Sequence, residues 1–256
     1  MNFEFTKNLN LVSIVITTFN AEKFIISTLK SLISQGYKNW ELIIVDDFSN
    51  DNTVKLIKKF LNKNRNYKLI VNKKNFGCNY SRNLAIKLAK GRFLALLDHD
   101  DRWLKNKLIN QVHFHLSNNC HASCTYYRRI NSQGMIGKLV KPKLKITYFD
   151  LLFQNNIGFS SVMIDRLLFK DFRMYDHDLS DFPTWLHLIK NGLQFRTIEK
   201  DLMRYYYDKS TNSHNKIKIA KQRWDIIKNV ENFSTLNTFF FMIVYLIKSI
   251  FKYKSL

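Results

Sequence analysis

The sequence predicts an α/β fold whose central, mainly parallel sheet is flanked by helices. Short apolar runs rich in β-branched residues recur along the first 105 residues, and polar clusters follow several of them. A stretch with helical spacing separates each run from the next. Strand and helix alternating at this distance are typical of right-handed βαβ crossovers, which join parallel strands.

The first half contains four predicted strands and three predicted helices. The strands cover residues 11–16, 40–45, 69–71 and 93–97. The helices cover 21–34, 53–62 and 78–90; Asn20 caps the first, and Gly91 ends the third.

The second half predicts a more mixed arrangement. Residues 122–130 and 135–140 flank a polar turn and predict a hairpin, and residues 159–164 predict another strand. Helices are predicted over residues 148–154, 182–191 and 216–230, and the last of these is basic and amphipathic.

The charge of the chain is strongly one-sided, with 41 basic and 20 acidic residues and a net charge of +21. This surplus predicts an anionic partner, which is nucleic acid, an acidic membrane face or a phosphorylated substrate. Three cysteines, an odd number, argue against a disulfide framework and for a reducing compartment. The N-terminus has no apolar signal-peptide core, so we expect the body of the protein on the cytoplasmic side.

The C-terminal tail, residues 235–256, contains an uninterrupted apolar run over 239–247, followed by Lys248, Lys252 and Lys254. The run is too short to span a bilayer by itself. We expect the tail to lie in the headgroup interface of an anionic membrane. The alternative is a helix that packs on the core.

Three acids, Asp98, Asp100 and Asp101, follow the fourth predicted strand. Asp98 and Asp100 are two residues apart, so in an extended segment their side chains point the same way. Carboxylate oxygens on one side of a loop suit Mg²⁺ or Mn²⁺. The alternative is an acidic turn that caps the next helix.

The polar clusters at residues 17–20, 46–51 and 98–101 all follow predicted parallel strands. Ligands of such sheets bind outside the carboxyl ends of the strands. We therefore expect the three clusters to converge on one crevice.

Three blocks of this sequence resemble family 2 glycosyltransferases of the GT-A fold, which is Rossmann-like. The blocks are Ser13-Ile14-Val15-Ile16-Thr17-Thr18-Phe19-Asn20, Val45-Asp46-Asp47-Phe48-Ser49-Asn50-Asp51, and the segment from Asn75-Phe76-Gly77 through Arg82-Asn83 and Gly91-Arg92-Phe93 to Asp98-His99-Asp100-Asp101. The resemblance is strong over residues 10–105 and weaker over 106–215.

The resemblance implies a UDP-sugar donor and a role for each matching residue. Thr17, Thr18 and Asn20 would border the base and ribose, and Asp47 would accept a hydrogen bond from the uracil N3–H. Asn75 and Arg82 would border the nucleotide or the donor sugar. Asp98 would face the ribose or donor sugar, and Asp100 would ligate the Mn²⁺ or Mg²⁺ that bridges the diphosphate.

Two residues depart from the family pattern. Thr17 replaces the usual Pro, and Phe48 replaces a common Gly and would narrow the base pocket. The family's histidine near the diphosphate is matched poorly by His214, for which an exposed loop position is the simpler interpretation.

The resemblance places the catalytic base at Asp181, with Ser180 in the place of the family's first acid. Asp176 and Asp178 are nearby alternatives. Asp181 would deprotonate an acceptor hydroxyl that attacks the anomeric carbon and inverts it. Without the resemblance, a helix cap is the favoured interpretation of Asp181. Trp185 is either a platform for an acceptor sugar or a core residue.

A further cluster comprises His113, His115, Cys120, His121 and Cys124. Its spacing does not match a paired-cysteine zinc site, and a helix face followed by a strand explains it more simply.

We therefore expect an inverting, metal-dependent glycosyltransferase that transfers a hexose or N-acetylhexosamine to a lipid-linked oligosaccharide or lipopolysaccharide precursor. Residues 1–105 would bind the nucleotide sugar, 106–234 the acceptor, and 235–256 the membrane. The alternatives are a basic nucleic-acid-binding protein and a non-catalytic sugar-nucleotide binder. The chain shows no recognition module for nucleic acid, so no such partner is expected.

Overall fold

The computed structural model describes residues 10–62, 66–170, 172–177, 181–207 and 216–253. Within them, ten strands form one sheet. In chain order the strands are β1 (Val12–Thr18), β2 (Trp40–Asp46), β3 (Tyr67–Val71), β4 (Phe93–Asp98), β5 (Arg102–Trp103), β6 (Ala122–Ile130), β7 (Ile136–Val140), β8 (Lys145–Ile146), β9 (Met163–Asp165) and β10 (Phe195–Tyr206).

Eight α-helices lie within the same described residues. They are α1 (Ile25–Ile33), α2 (Thr53–Leu61), α3 (Cys78–Leu88), α4 (Lys107–Asn118), α5 (Tyr148–Phe153), α6 (Asp181–Lys190), α7 (Lys216–Asp225) and α8 (Thr235–Tyr253).

The strands follow the order β3-β2-β1-β4-β9-β6-β10-β5, with β7 beside β6 and β8 beside β10. The first four of these are mutually parallel, as the βαβ spacing predicts. Strand β9 runs antiparallel to both β4 and β6, so it joins the parallel half to the mixed half. The predicted α/β fold with a mainly parallel sheet and a mixed second half is confirmed.

Both faces of the central strands are buried, which explains their continuous apolar runs. Side chains alternate along β1: Ile14 and Ile16 face the layer formed by α1, α2 and α4, whereas Val15 faces the layer formed by α3 and α5 to α8. All seven residues of β1 are buried. This rigid strand carries Thr17 and Thr18 at its carboxyl end.

Two predicted elements of the second half differ from the structure. Of the strand predicted over 159–164, only the end belongs to β9, and Phe159–Ser161 form a 3-10 turn. The Ser161 hydroxyl donates to the Gly158 carbonyl at 2.6 Å and stabilises that turn. The helix predicted over 216–230 is an α-helix only to Asp225, after which Ile226–Val230 continue as a π-helix.

The tail forms α8, which packs on the core through one face and reaches α5 and α7. No helix among the described residues has the length and apolar character needed to cross a bilayer.

Candidate active site

The carboxyl ends of β1, β2 and β4 bring the three predicted polar clusters together. Thr17 is the register partner of Asp98, and Thr18 is the register partner of Asp46. The amide of Asp47 donates to the Thr18 carbonyl at 2.8 Å. The convergence that we expected from the strand ends is present in the fold.

Asn20 joins the loops that follow β1 and β2. Its side-chain oxygen accepts from the Asn50 amide at 3.0 Å, and its own amide donates to the Ser49 hydroxyl at 2.9 Å. Asn20 has a φ of +48°, which an asparagine tolerates better than most residues. The prediction that Asn20 caps the first helix is wrong, because residues 21–24 form a turn and α1 begins at Ile25.

Thr18 and Thr17 differ in how they face the crevice. Thr18 is buried, and its hydroxyl donates to Asp46 at 2.7 Å, so that group is committed to the fold. Thr17 is also nearly buried, with its hydroxyl oxygen 3.6 Å from the sulfur of Cys78, an exposed residue at the start of α3. Of the two, Thr17 is the better placed for a ligand.

Asp47 is buried and held in one orientation by three donors. Its carboxylate accepts from the Asn72 amide group at 2.7 Å and from the backbone N–H groups of Phe76 and Gly77 at 3.0 and 2.8 Å. A carboxylate has about four lone-pair sites, so one acceptor position remains for an external N–H. Such a fixed single acceptor suits recognition of a nucleobase imide.

Asn75 shapes the loop that supplies two of those donors. Its side-chain oxygen accepts from the Gly77 amide at 3.1 Å, and Gly77 has a φ of +91°, where a side chain is strained. Asn75 itself is exposed. It therefore lies at the rim of the crevice, with an amide group directed to the loop.

Arg82 and Asp98 form an ion pair on the crevice floor. The guanidinium lies 2.6 Å from the Asp98 carboxylate and 3.9 Å from the centre of the Phe159 ring. Burial would lower the pKa of Arg82, but the charge and hydrogen bond of Asp98, together with the charge of Asp181, outweigh burial and raise it. The arginine is therefore a permanent cation within the crevice.

Asp100 follows Asp98 in a turn and not in an extended segment, so the expected alternation is wrong. The Asp101 amide donates back to the Asp98 carbonyl at 3.3 Å and closes that turn. Burial raises the pKa of Asp100, His99 lowers it, and the charge of Asp98 raises it again. The carboxylates of Asp98 and Asp100 are thus close enough to interact electrostatically. Asp100 accepts no hydrogen bond from another described side chain.

Asp101 has a structural role that the sequence did not indicate. Its carboxylate accepts from the Ser160 hydroxyl at 2.5 Å and from the Tyr206 amide at 2.8 Å. It is buried, and burial together with the charges of Asp100 and Asp98 raises its pKa well above the ordinary value. Asp101 ties the acidic turn to the end of β10.

Asp181, the expected base, opens α6 beside the same ion pair. One carboxylate oxygen accepts from the Phe182 amide at 2.8 Å, and the other from the Asn155 amide group at 3.2 Å. Burial raises the pKa of Asp181, the Arg82 charge lowers it, and the Asp98 charge raises it. The helix-capping contact and a place in the crevice therefore coexist.

Of the two alternative bases, the structure describes only Asp176, which is exposed. Asp178 lies outside the described residues, as do Ser180 and His214.

Trp185 is fully buried among aromatic rings of the core, and the centres of its ring and the Phe195 ring are 5.2 Å apart. Trp185 is a core residue and not an acceptor platform.

Three members of the histidine and cysteine cluster, His115, Cys120 and Cys124, belong to the core, whereas His113 is exposed. His115 is buried between the Cys120 carbonyl at 2.7 Å and the Ser123 hydroxyl at 2.9 Å, and burial lowers its pKa to about 4. Cys124 is buried beside Thr197. Within the part of the chain that the structure describes, no three His, Cys, Asp or Glu side chains converge as a metal site.

The crevice nevertheless suits a divalent cation that is shared with a substrate. Mg²⁺ and Mn²⁺ at phosphate sites take one or two carboxylates from the protein and the remaining ligands from phosphate and water. Asp100 and Asp98 offer hard oxygen ligands next to the cation of Arg82.

Comparison with known proteins gives consistent matches. Residues 13–168 match the family model described as "Glycosyl transferase family 2". The chain is 36% identical over 251 residues to "UDP-Glc:alpha-D-GlcNAc-diphosphoundecaprenol beta-1,3-glucosyltransferase WfgD" of Escherichia coli, covering 96% of this chain and 97% of that protein.

Two solved structures share the fold at low sequence identity. TarS residues 1–349 of S. aureus, in complex with UDP-GlcNAc, matches with a TM-score of 0.68 and 19% identity, covering 92% of this chain and 71% of that chain. The mannosyltransferase PcManGT of Pyrobaculum calidifontis, in complex with GDP-Man and Mn²⁺, matches with a TM-score of 0.66 and 16% identity, covering 91% and 68%.

Proposed function

The chain belongs to glycosyl transferase family 2 and is a glycosyltransferase, and from this premise we propose an inverting, metal-dependent enzyme that uses a UDP-sugar. The observation that carries the proposal is the position of Asp181 in the field of the Arg82–Asp98 ion pair. A candidate base, a cation and an acid that would hold the metal therefore share one crevice with the buried acceptor of Asp47.

The first half of the chain, residues 1–105, binds the donor in this proposal. Asp47 accepts from the uracil N3–H through its remaining lone pair, because its other acceptor positions are occupied. Thr17, Thr18 and Asn20 border the base and ribose. Thr18 contributes indirectly, through its hydrogen bond to Asp46 at the end of β2. Asn75 lies at the rim.

Arg82 and Asp98 orient the diphosphate and the donor sugar. The ion pair holds one oxygen of the Asp98 carboxylate, and in this proposal the second oxygen binds the ribose or sugar hydroxyls. Asp100 would hold Mn²⁺ or Mg²⁺ together with the diphosphate. When bound, the divalent cation neutralises the charge that develops on the departing diphosphate.

Asp181 performs the proton transfer. Its carboxylate takes the proton of the acceptor hydroxyl while that oxygen forms a bond to the anomeric carbon from the face opposite the diphosphate. The bond between the anomeric carbon and the diphosphate oxygen breaks, and its electron pair leaves with UDP. The raised pKa of Asp181 increases its basicity toward the hydroxyl.

The acceptor in this proposal is a lipid-linked glycan of surface-polysaccharide synthesis, bound by residues 106–234. The match to WfgD over nearly the full length of both chains supports UDP-glucose as the first donor and a GlcNAc-diphospholipid as the first acceptor to test. Residues 235–256 hold the enzyme at the anionic cytoplasmic face of the membrane. No nucleic acid partner is proposed.

The direct test is UDP release with a panel of UDP-hexoses and UDP-N-acetylhexosamines, with the GlcNAc-diphospholipid present or absent. We expect acceptor-dependent release that a chelator abolishes and Mn²⁺ restores. Asp176→Asn, at an exposed aspartate, serves as the control for Asp181→Asn. Donor binding with no acceptor-dependent release from any sugar would instead support a non-catalytic binder.

A further inference from the structure

Helix α8 has a second apolar face that the described part of the chain leaves about half exposed or more. Six large hydrophobic side chains on it are between 49% and 80% exposed, and together we call them the α8 stripe: Leu236, Phe239, Phe240, Ile243, Leu246 and Ile247. Their spacing of three, four and seven residues places them along one side of the helix.

The opposite side of α8 already packs on the core. Thr238, Phe241 and Met242 are buried, and Phe241 contacts the Phe233 ring with centres 5.1 Å apart. The stripe is therefore not a core face that the fold left incomplete. Contiguous exposed apolar surface of this kind marks a site of interaction in most water-soluble proteins.

The charges around the stripe favour an anionic bilayer as its occupant. Lys248 is exposed on α8, and Lys218 and Lys221 are exposed on α7. Helix α7 contacts α8 through Trp224 and Phe239, whose ring centres are 4.8 Å apart. Helix α8 contains no acidic residue. A second copy of this chain would bring like charges together across a two-fold interface, whereas anionic headgroups complement them.

One buried side chain connects α8 to the candidate base. The Arg223 guanidinium lies 4.4 Å from the Tyr245 ring centre on α8 and 4.1 Å from the ring centre of Phe182, the residue after Asp181. It also donates to the carbonyls of Leu151 and Leu152, near the end of α5, at 2.7 and 2.6 Å. The orientation of α8 is thus fixed relative to the start of α6.

We propose that the α8 stripe docks the enzyme on an anionic lipid bilayer and holds the Asp181 end of the crevice near the headgroups. This inference rests on the proposed function only for the purpose of membrane binding, which is to present the base to an acceptor whose lipid stays in the membrane. Binding itself requires no donor, metal or acceptor.

The test is sedimentation with vesicles that contain phosphatidylglycerol, compared with vesicles of phosphatidylcholine alone. The stripe variant is Ile243→Glu with Ile247→Glu. The matched control is Ile109→Glu with Leu116→Glu, which changes two apolar residues of similar exposure on α4. Both variants are first shown to keep the wild-type helical content and unfolding temperature.

We expect the wild type to bind the phosphatidylglycerol vesicles and high salt to weaken that binding. The stripe variant should lose on the order of a hundredfold in partition coefficient, and the control only a few-fold. Equal binding by the stripe variant and the wild type would overturn the proposal. So would a wild type that binds no vesicles and sediments as a dimer.

Two further readouts separate this proposal from the proposed function. Calorimetric titration with a UDP-sugar should give the same Kd for the stripe variant and the wild type, because none of the residues assigned to the nucleotide lies on α8. Turnover should fall with the acceptor embedded in vesicles and stay unchanged with a short-chain, water-soluble acceptor. An equal fall with both acceptors would contradict a membrane role for the stripe.

Discussion

The ion pair between Arg82 and Asp98 makes a quantitative prediction about the crevice floor. The two side chains are 2.6 Å apart and only 11% and 23% exposed, so water screens their attraction weakly. Hydrogen bonds to charged groups contribute about 1.5–3 kcal/mol. Arg82→Met leaves the Asp98 carboxylate without its cation, and we expect the free energy of unfolding to fall by about 3 kcal/mol.

A double-mutant cycle isolates the pair. Arg82→Met, Asp98→Asn and the double variant are unfolded in urea, and we expect a coupling free energy of about 2 kcal/mol. The matched control is the cycle for Lys143 and Asp150, whose lysine is 71% exposed, with an expected coupling below about 1 kcal/mol. If the Arg82 and Asp98 effects add within about 0.5 kcal/mol, the two side chains do not hold each other and the reasoning is refuted.

Three further predictions concern the acids and the sheet. Asp100→Ala should abolish Mn²⁺-dependent turnover and keep the wild-type unfolding curve; Mn²⁺-dependent turnover that survives would remove Asp100 as a ligand. Burial raises the pKa of Asp181, so kcat should fall with decreasing pH around a pKa above the ordinary aspartate value of about 3.9. A fall in kcat centred at or below that value would contradict a raised pKa for Asp181. Gly91→Ala should lower the free energy of unfolding, measured in urea, by about 1–3 kcal/mol, because a Cβ there would lie 2.5 Å from the Leu11 carbonyl oxygen. The control is Gly134→Ala, where the added Cβ meets open space and only the positive φ causes strain.

The parallel half of the fold was predictable because its signals are local. Each strand from β1 to β4 is a short apolar run with a helix of ordinary length before the next, and the crossover rule then fixes the topology. The 3-10 turn at Phe159–Ser161 was not predictable, since the apolar residues 162–164 that follow it favour one strand over the whole run. What forms the turn is a set of hydroxyl contacts, among them Ser160 to Asp101 across 59 positions.

The donor side of the candidate site was predictable for the same reason. Residues at the carboxyl ends of neighbouring parallel strands must lie together, so Thr17 and Asp98 meet as register partners. The acceptor side depends on contacts between distant parts of the chain. Asn155 reaches Asp181 across 26 positions, and Arg223 reaches Leu151 across 72, and no spacing in the sequence signals either contact.

Trp185 shows where a local pattern misleads. Its position four residues after Asp181 is compatible with an acceptor platform, yet the fold buries it completely against Phe172 and Phe195. Only the path of β10 beneath α6 decides between the two interpretations. A residue's place on a helix near the site therefore does not establish a contact with substrate.

In the proposed reaction, Asp181 removes the acceptor proton in a crevice where Arg82 and Asp98 hold the donor. A comparison of donor affinity with transfer in Asp181→Asn tests this role, using calorimetry for the UDP-sugar and UDP release for turnover. We expect a Kd within about twofold of the wild type and a loss of kcat on the order of 10²–10⁴. Turnover equal to that of the Asp176→Asn control would contradict it.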